Sequence, residues 1–294
     1  MSVTLRDVTL RDGLQDEPPV ATHDKVALFD ALVRAGIRDL ELTSFVRPDR
    51  VPSMADAAEM AAATAGNDAV ARWALVLNQR GVQRALESGL THLQYVVGCS
   101  DTHSLRNAGR DRLQALVEME EIAATLPRGA QLEVTLSTAF GCPFEGPVPA
   151  KHVLEAAERS LAAGAVAVSL ADTIGTAIPS EVAALVSATI ALGDRPVGVH
   201  LHDTRGLGVA NALAAIDAGA SRVDGTVGGL GGCPFAPGAS GNMALEDLAH
   251  VLAESGVDTG IDLDALIEAA ELACRLVGRT VESHVGKAGP RFRQ

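Results

Sequence analysis

Eight times along the chain a short run of β-formers gives way to an Ala/Leu-rich amphipathic stretch, and this alternation narrows the possible folds more than any other feature. The strand-like runs are Val3–Leu10, Ile37–Thr43, Arg72–Leu77, His92–Val97, Gln131–Ser137, Val166–Leu170, Pro196–His202 and Arg222–Val227. Helical patterns cover 24–35, 54–64, 80–88, 110–125, 150–163, 180–192, 208–218 and 243–254. Ala35-Gly36, Ala163-Gly164 and Ala218-Gly219 each close a helical stretch just ahead of a strand, where glycine accepts the left-handed backbone of a helix C-cap. Strands separated by helices pair in parallel. Eight such units without a composition break predict an α/β fold: a single (β/α)8 TIM barrel over residues 1–294, core about 3–256, with an extra C-terminal helical segment over about 261–283. The competing architecture, a doubly wound sheet, usually carries a Gly-rich turn after its first strand. The Gly/Arg-rich final residues are expected either to be disordered or to cover a barrel end.

In such a barrel chemistry gathers at the C-terminal ends of the strands. Arg11 and Asp12 end the first predicted strand, Glu41, Thr43 and Ser44 the second, and His200 and His202 the seventh. Cys142 follows the fifth, Asp172 and Thr173 the sixth, and Cys233 and Asn242 the eighth. Residues two apart on a strand share a face, so His200 and His202 point together while Leu201 points away. An isolated His-x-His is more often a packed core pair, and Asn242 alone reads as the N-cap of a helix starting at Met243. Together, Asp12, His200, His202 and Asn242 form a carboxylate, imidazole and amide set without a thiolate. That set predicts a divalent cation, Mg²⁺ or Mn²⁺, with positions open for substrate oxygens.

The glycines of Gly228-Gly229-Leu230-Gly231-Gly232-Cys233-Pro234 and of Gly238-Ala239-Ser240-Gly241-Asn242 are costly to order, which predicts a mobile loop that closes over a substrate. A thiol at Cys233, in mid-loop and near a cation, is a candidate proton donor or acceptor.

Bulk properties exclude several classes. Lys+Arg 24 against Asp+Glu 37 gives a net charge of −13, with no basic run, which argues against nucleic acid. An anionic substrate then needs local arginines or a bound cation to reverse the sign in its cleft. The cysteines Cys99, Cys142, Cys233 and Cys274 form no C-x-x-C pair and suit reduced thiols. The N-terminus has no apolar signal region, no apolar run suits a bilayer, and the last residues are no peroxisomal address, so a cytoplasmic protein is expected.

Arg11-Asp12-Gly13-Leu14-Gln15, Glu41-Leu42-Thr43-Ser44-Phe45-Val46, Gly141-Cys142-Pro143-Phe144-Glu145-Gly146, Asp172-Thr173-Ile174-Gly175, His200-Leu201-His202-Asp203-Thr204 and the Cys233 loop occur in one order from residue 3 to about 280. This set resembles the 3-hydroxy-3-methylglutaryl-CoA lyase family. The Arg-Asp-Gly-x-Gln and His-x-His elements are shared with isopropylmalate and homocitrate synthases, whereas Gly-Leu-Gly-Gly-Cys-Pro ending in Ser-Gly-Asn is more specific to the lyases. The resemblance implies cleavage of an acyl-CoA, 3-hydroxy-3-methylglutaryl-CoA, to acetyl-CoA and acetoacetate, as in leucine degradation and ketone-body formation, by a homodimer. It implies Asp12, His200, His202 and Asn242 as metal ligands and Arg11 as the stabiliser of the enolate oxygen. Cys233 is implied as the catalytic thiol, with Glu41 and Asp172 as acidic residues supporting the substrate and metal shell. Arg11, Gln15 and Thr173 are implied as substrate contacts, and either Asp12 or a histidine such as His200 as the base.

Departures bear on the acyl group. Leu10 stands where the lyases often have Pro, and the Cys99–Asn107 segment lacks the family's usual basic pattern. A second Leu-Arg-Asp, Leu5-Arg6-Asp7, lacks the Gly-x-Gln that would follow and reads as ordinary strand residues. Alternative expectations are a lyase for citramalyl-CoA or a longer-branched analogue, a Claisen-type synthase, and a non-catalytic binding barrel.

Overall fold

The computed structural model describes residues 3–232 and 241–292. Eight strands, β1 (Thr4–Asp7), β2 (Asp39–Ser44), β3 (Ala71–Val76), β4 (His92–Gly98), β5 (Gln131–Ser137), β6 (Ala167–Asp172), β7 (Val197–Leu201) and β8 (Arg222–Gly225), pair in parallel and in chain order. The sheet closes where β1 meets β8, from Thr4 opposite Arg222 to Asp7 opposite Gly225. Closure excludes the doubly wound sheet, which has two free edges. The outer ring comprises α1 (Thr22–Arg34), α2 (Ala57–Ala63), α3 (Gln79–Glu87), α4 (Asp101–Ala108), α5 (Arg112–Thr125), α6 (Ala150–Ala162), α7 (Pro179–Ile190), α8 (Gly208–Asp217) and α9 (Leu245–Glu254). Two further helices, α10 (Leu263–Val277) and α11 (His284–Ala288), form the C-terminal extension. The layer between barrel and helices is aliphatic: Leu40, Val134, Leu170 and Val199 are wholly buried.

Three local readings differ from the sequence pattern. The first strand stops at Asp7 rather than running to Leu10, because the Asp7 carboxylate accepts hydrogen bonds from the Thr9 N–H at 2.9 Å and the Thr9 hydroxyl at 2.7 Å. This side-chain turn leads into a π-helical turn, Thr9–Gly13, in which the Gly13 N–H reaches the Val8 carbonyl at 3.1 Å. The helical stretch expected over 110–125 is preceded by α4, which ends at Gly109 in the left-handed region (φ 73°). The segment around Asn242 does not begin a helix at Met243; α9 starts at Leu245, with Ala244 at its N-cap.

The fourth difference lies inside the barrel. Arg6, taken from sequence as an ordinary strand residue, is 1% exposed and belongs to a layer of buried charge. Its guanidinium bonds to Asp39 at 2.6 Å and Glu133 at 3.0 Å and lies 4.4 Å above the Trp73 ring. Arg222 grips both Glu133 oxygens at 2.6 Å and donates to Asp224 at 2.8 Å. A Cβ at Gly198 would lie 2.5 Å from the Arg222 guanidinium, so β7 carries glycine where that side chain crosses the barrel. Two arginines in a closed interior are tolerable only while paired. Glu133→Ala, which strands both, is predicted to lower unfolding stability by about 3–5 kcal/mol. Urea denaturation measures this; a midpoint within error of the parent would show that the layer does not depend on Glu133.

Candidate active site

The Thr9–Gly13 turn puts Arg11 and Asp12 over the barrel's C-terminal mouth, and π-turns recur at functional sites because they re-aim side chains. Arg11 bonds to Glu41 and to Asp12, and all three are buried. Glu41 lies beside a register irregularity between Glu41 and Thr43 that turns the end of β2.

His200 is on β7 and His202 just beyond it, their Nε2 atoms 3.3 Å apart. Asp12 Oδ2 lies 3.8 Å from His200 Nε2 and 3.7 Å from His202 Nε2. Asn242, forty residues on, arrives because 241–243 folds back along the end of β7. The Met243 N–H reaches the Leu201 carbonyl at 3.0 Å and the Asp203 N–H reaches Gly241 at 3.1 Å, which sets Asn242 opposite His202. Asn242 donates through Nδ2 to Asp12 at 2.7 Å, and the N-cap of α9 is Ala244 instead.

The donor set fits a divalent cation. Asp12, His200 and His202 offer ligand atoms all within 4.8 Å of one another. The Asn242 carboxamide oxygen is buried and has no hydrogen-bond partner among the described residues. Burial raises the Asp12 carboxyl pKa, but the charge of Arg11, the two histidines and the Asn242 bond outweigh it and hold the group below the usual carboxylate range. Burial, then the neighbouring His200, lowers His202 to about 4, leaving that imidazole neutral as a ligand must be.

Sequence reasoning missed Asp224. It is fully buried at the end of β8, and its Oδ2, with no hydrogen-bond partner among the described residues, faces His200 Nδ1 at 3.7 Å. The alternation on β8 that puts Arg222 and Asp224 on one face was the available signal. A carboxylate behind a ligating imidazole fixes the ring and aims its far nitrogen outward.

One cavity of about 1190 Å³ opens over this cluster, lined by Arg11, Asp12, Gln15, Thr173, His200 and His202. Arg47, Arg50, Arg80, Arg84 and Arg106 also line it, opposed by Asp16 and Asp49 as well as Asp12. Local arginines therefore reverse the sign of a −13 chain at this opening. Thr173 Oγ1 accepts the Thr138 N–H at 2.8 Å and steadies a β-branched residue held at φ 56°. Asp172 is not brought to the cavity lining; its carboxylate accepts the Thr176 and Ala177 N–H groups at 2.9 Å each, holding the turn ahead of α7. Cys142 is buried, receives the Ser100 hydroxyl at 2.9 Å, and pairs by backbone with Gly146 in a tight turn. Cys233 lies outside the described residues, as does the rest of 233–240.

The described ends of that glycine-rich stretch are pinned. The Leu230 carbonyl accepts from the Thr226 hydroxyl at 2.8 Å and the Asn242 N–H at 3.2 Å. Glu246 accepts the Gly228 N–H at 2.8 Å, and the Glu282 N–H from the C-terminal extension reaches the Gly228 carbonyl at 3.2 Å. The final segment thus supports the rim.

The sequence matches the HMGL-like family over residues 2–273. The chain belongs to that family. It is 42% identical to the (R)-citramalyl-CoA lyase of Chloroflexus aurantiacus, covering 100% of this chain and 96% of the relative. It is 37% identical to a hydroxymethylglutaryl-CoA lyase of Bacillus subtilis, covering 96% and 95%. The solved HMG-CoA lyase of Acinetobacter baumannii, in complex with coenzyme A and 3-methylmalate, superposes with a TM-score of 0.95 at 38% identity, covering 100% of this chain and 97% of that one. As a member of this family the protein is a carbon–carbon lyase built on a TIM barrel. Among the described residues no helix is long and apolar enough to cross a membrane.

Asp224→Asn is expected to weaken Mn²⁺ binding by about 10–100-fold and His202→Ala at least as much. Calorimetric titration reads both, and unchanged affinity would remove the residue concerned from the site. Burial also raises the Glu246 carboxyl from 4.5 to about 7. The folded protein then binds more protons than the unfolded chain between those values, so stability falls as pH rises through that window and levels off above it. Glu246→Gln, which keeps an acceptor for Gly228, should be more stable than the parent at pH 8 by up to about 3 kcal/mol and no more stable at pH 4. Parallel denaturation curves at the two pH values would refute this.

Proposed function

We propose that this protein cleaves 3-hydroxy-3-methylglutaryl-CoA to acetyl-CoA and acetoacetate in a metal-dependent retro-Claisen reaction. The observation carrying this reading is the convergence of Arg11, held by Glu41, with Asp12, His200, His202 and Asn242 at one arginine-lined cavity.

The reaction breaks the C2–C3 bond. The tertiary hydroxyl loses its proton and becomes the ketone, the bond electrons pass to C2 as a thioester enolate, and C2 then takes a proton. A divalent cation held by Asp12, His200, His202 and Asn242 supplies Lewis-acid polarisation of the substrate oxygens. The hydroxyl proton leaves to the Asp12–His200–His202 cluster. Arg11, fixed by Glu41 and unable to reorient freely, presents positive charge where the enolate oxygen develops. Gln15 and Thr173 contact the acyl portion, and Asp172 holds the turn that positions Thr173. Cys233 is assigned the return of the proton to C2, on its motif alone. The outer arginines offset the phosphates of the CoA nucleotide. A homodimer and a cytoplasmic location, the latter from composition, complete the reading, as does a place in leucine degradation.

A second reading has its own support. The 42% relationship to a citramalyl-CoA lyase favours the same chemistry on a four-carbon acyl chain, releasing pyruvate. Protein stripped with EDTA and reloaded with Mg²⁺ or Mn²⁺ is given each thioester, and acetyl-CoA, acetoacetate and pyruvate are followed. Metal-dependent acetoacetate is expected; pyruvate alone would establish the second reading, and silence with both would leave a binding barrel. Cys233→Ser should retain Mn²⁺ binding and lose about a hundred- to a thousandfold in kcat. Unimpaired turnover would end the proton-donor assignment.

A further inference from the structure

The Gly141–Gly146 motif stands out in the sequence, yet it has no part in the reaction as described. It folds into a closed turn: Cys142 and Gly146 exchange backbone hydrogen bonds at 2.9 and 3.0 Å, and the Phe144 N–H reaches the Cys142 sulfur at 3.4 Å. At its base a Cβ on Gly141 would lie 2.7 Å from the Thr176 hydroxyl oxygen, so the turn is seated on the segment after β6.

Against this turn lies α4. A helix of eight residues is marginal by itself, and α4 buries only His103 and Ser104, beside the end of β4 where a Cβ on Gly98 would lie 3.0 Å from Ser104. Leu105, Arg106 and Asn107 stay exposed and line the cavity. Three contacts tie the helix to the turn. The hydroxyl of Ser100, the N-cap of α4, donates to the Cys142 sulfur at 2.9 Å, and its oxygen accepts the His103 N–H at 3.2 Å. Glu145 accepts the Thr102 N–H at 2.6 Å, which places a carboxylate at the positive end of the helix. The Arg106 guanidinium carbon lies 4.1 Å from the centroid of the Phe144 ring.

The ring contact restricts a long, exposed side chain that otherwise samples many rotamers. Stacking occupies the face of the guanidinium and leaves its N–H edge for an oxyanion. Arg47 on the same cavity is already held by Asp49 at 3.0 Å, whereas no carboxylate among the described residues pairs with Arg106.

We propose that Phe144 and Glu145 are positioning residues for Arg106, fixing α4 and the guanidinium so that its N–H edge meets the phosphate-bearing end of a CoA thioester. This rests on the reading that an acyl-CoA fills the cavity.

The test is calorimetric titration of coenzyme A into the Mg²⁺-loaded protein, with Mn²⁺ affinity measured separately on each variant. Arg106→Ala should weaken coenzyme A binding about tenfold. Phe144→Leu and Glu145→Ala should each weaken it about three- to tenfold, with Mn²⁺ affinity unchanged. Phe144→Tyr, which keeps the ring, and Glu145→Gln, which keeps an acceptor for Thr102, should stay within about twofold of the parent. Added to Arg106→Ala, Phe144→Leu should cost nothing further, because the ring acts through the guanidinium. A parent that does not bind coenzyme A, Phe144→Leu and Glu145→Ala variants that bind it like the parent, a full second loss on the Arg106→Ala background, or matching loss of Mn²⁺ affinity would each overturn the proposal. Coenzyme A binding with the expected pattern, in a protein that cleaves neither hydroxyacyl-CoA, would refute the lyase reading and leave this assignment standing. Cleavage by a protein whose coenzyme A binding ignores these substitutions would do the reverse.

Discussion

The structure depends on a chain of buried charge that runs from the barrel interior to the reacting end. Arg6 and Arg222 share Glu133, Arg222 passes to Asp224, and Asp224 backs His200. An unpaired guanidinium in that interior is strongly unfavourable, so each member holds the next in one geometry. The barrel thus offers a rigid mounting for the His200 imidazole, where an aliphatic interior would pack but would not orient it. Gly198 belongs to the same constraint, since its missing side chain is the space through which Arg222 crosses.

Above this layer the site is assembled from segments that are not strands. The π-turn after β1 aims Arg11 and Asp12, and the return of 241–243 along β7 brings Asn242 beside Asp12. The segment that delivers Asn242 is held between the ends of β7 and β8, with Thr226 bonding to Met243 and Leu245. Asn242 and the two described ends of the glycine-rich stretch therefore share one set of anchors, and Glu246 and the C-terminal extension brace it from outside. The placement of Asn242 and the described ends of that stretch are coupled by this shared backbone.

Electrostatics at the opening run against the chain's overall sign. A protein of net charge −13 gathers five arginines on the cavity wall besides Arg11. Most of these are exposed and lie after β2, in α3 and in α4, on the side of the barrel away from β7 and β8. The Asp12–His200–His202 cluster and the outer arginines therefore occupy different sectors of one cavity.

Much of this was legible in the chain itself. The eightfold alternation is a periodicity signal, so the barrel and nearly all of its strands could be read locally. His200 and His202 share a face by strand period alone, and motif order carried Asp12 and Asn242 to the same rim. Tertiary structure decided what local pattern cannot encode. Arg6 looked like any strand residue because burial of a charge depends on partners 33 and 127 positions away. The bonds from the Thr176 and Ala177 N–H groups to the Asp172 carboxylate exist only once the turn ahead of α7 has folded. Asp224 gained meaning only when closure of the sheet set it behind His200. Sequence determined the elements and the residue types because periodicity and motifs act over short spans; folding decided which polar groups face one another, because that depends on contacts across the whole barrel.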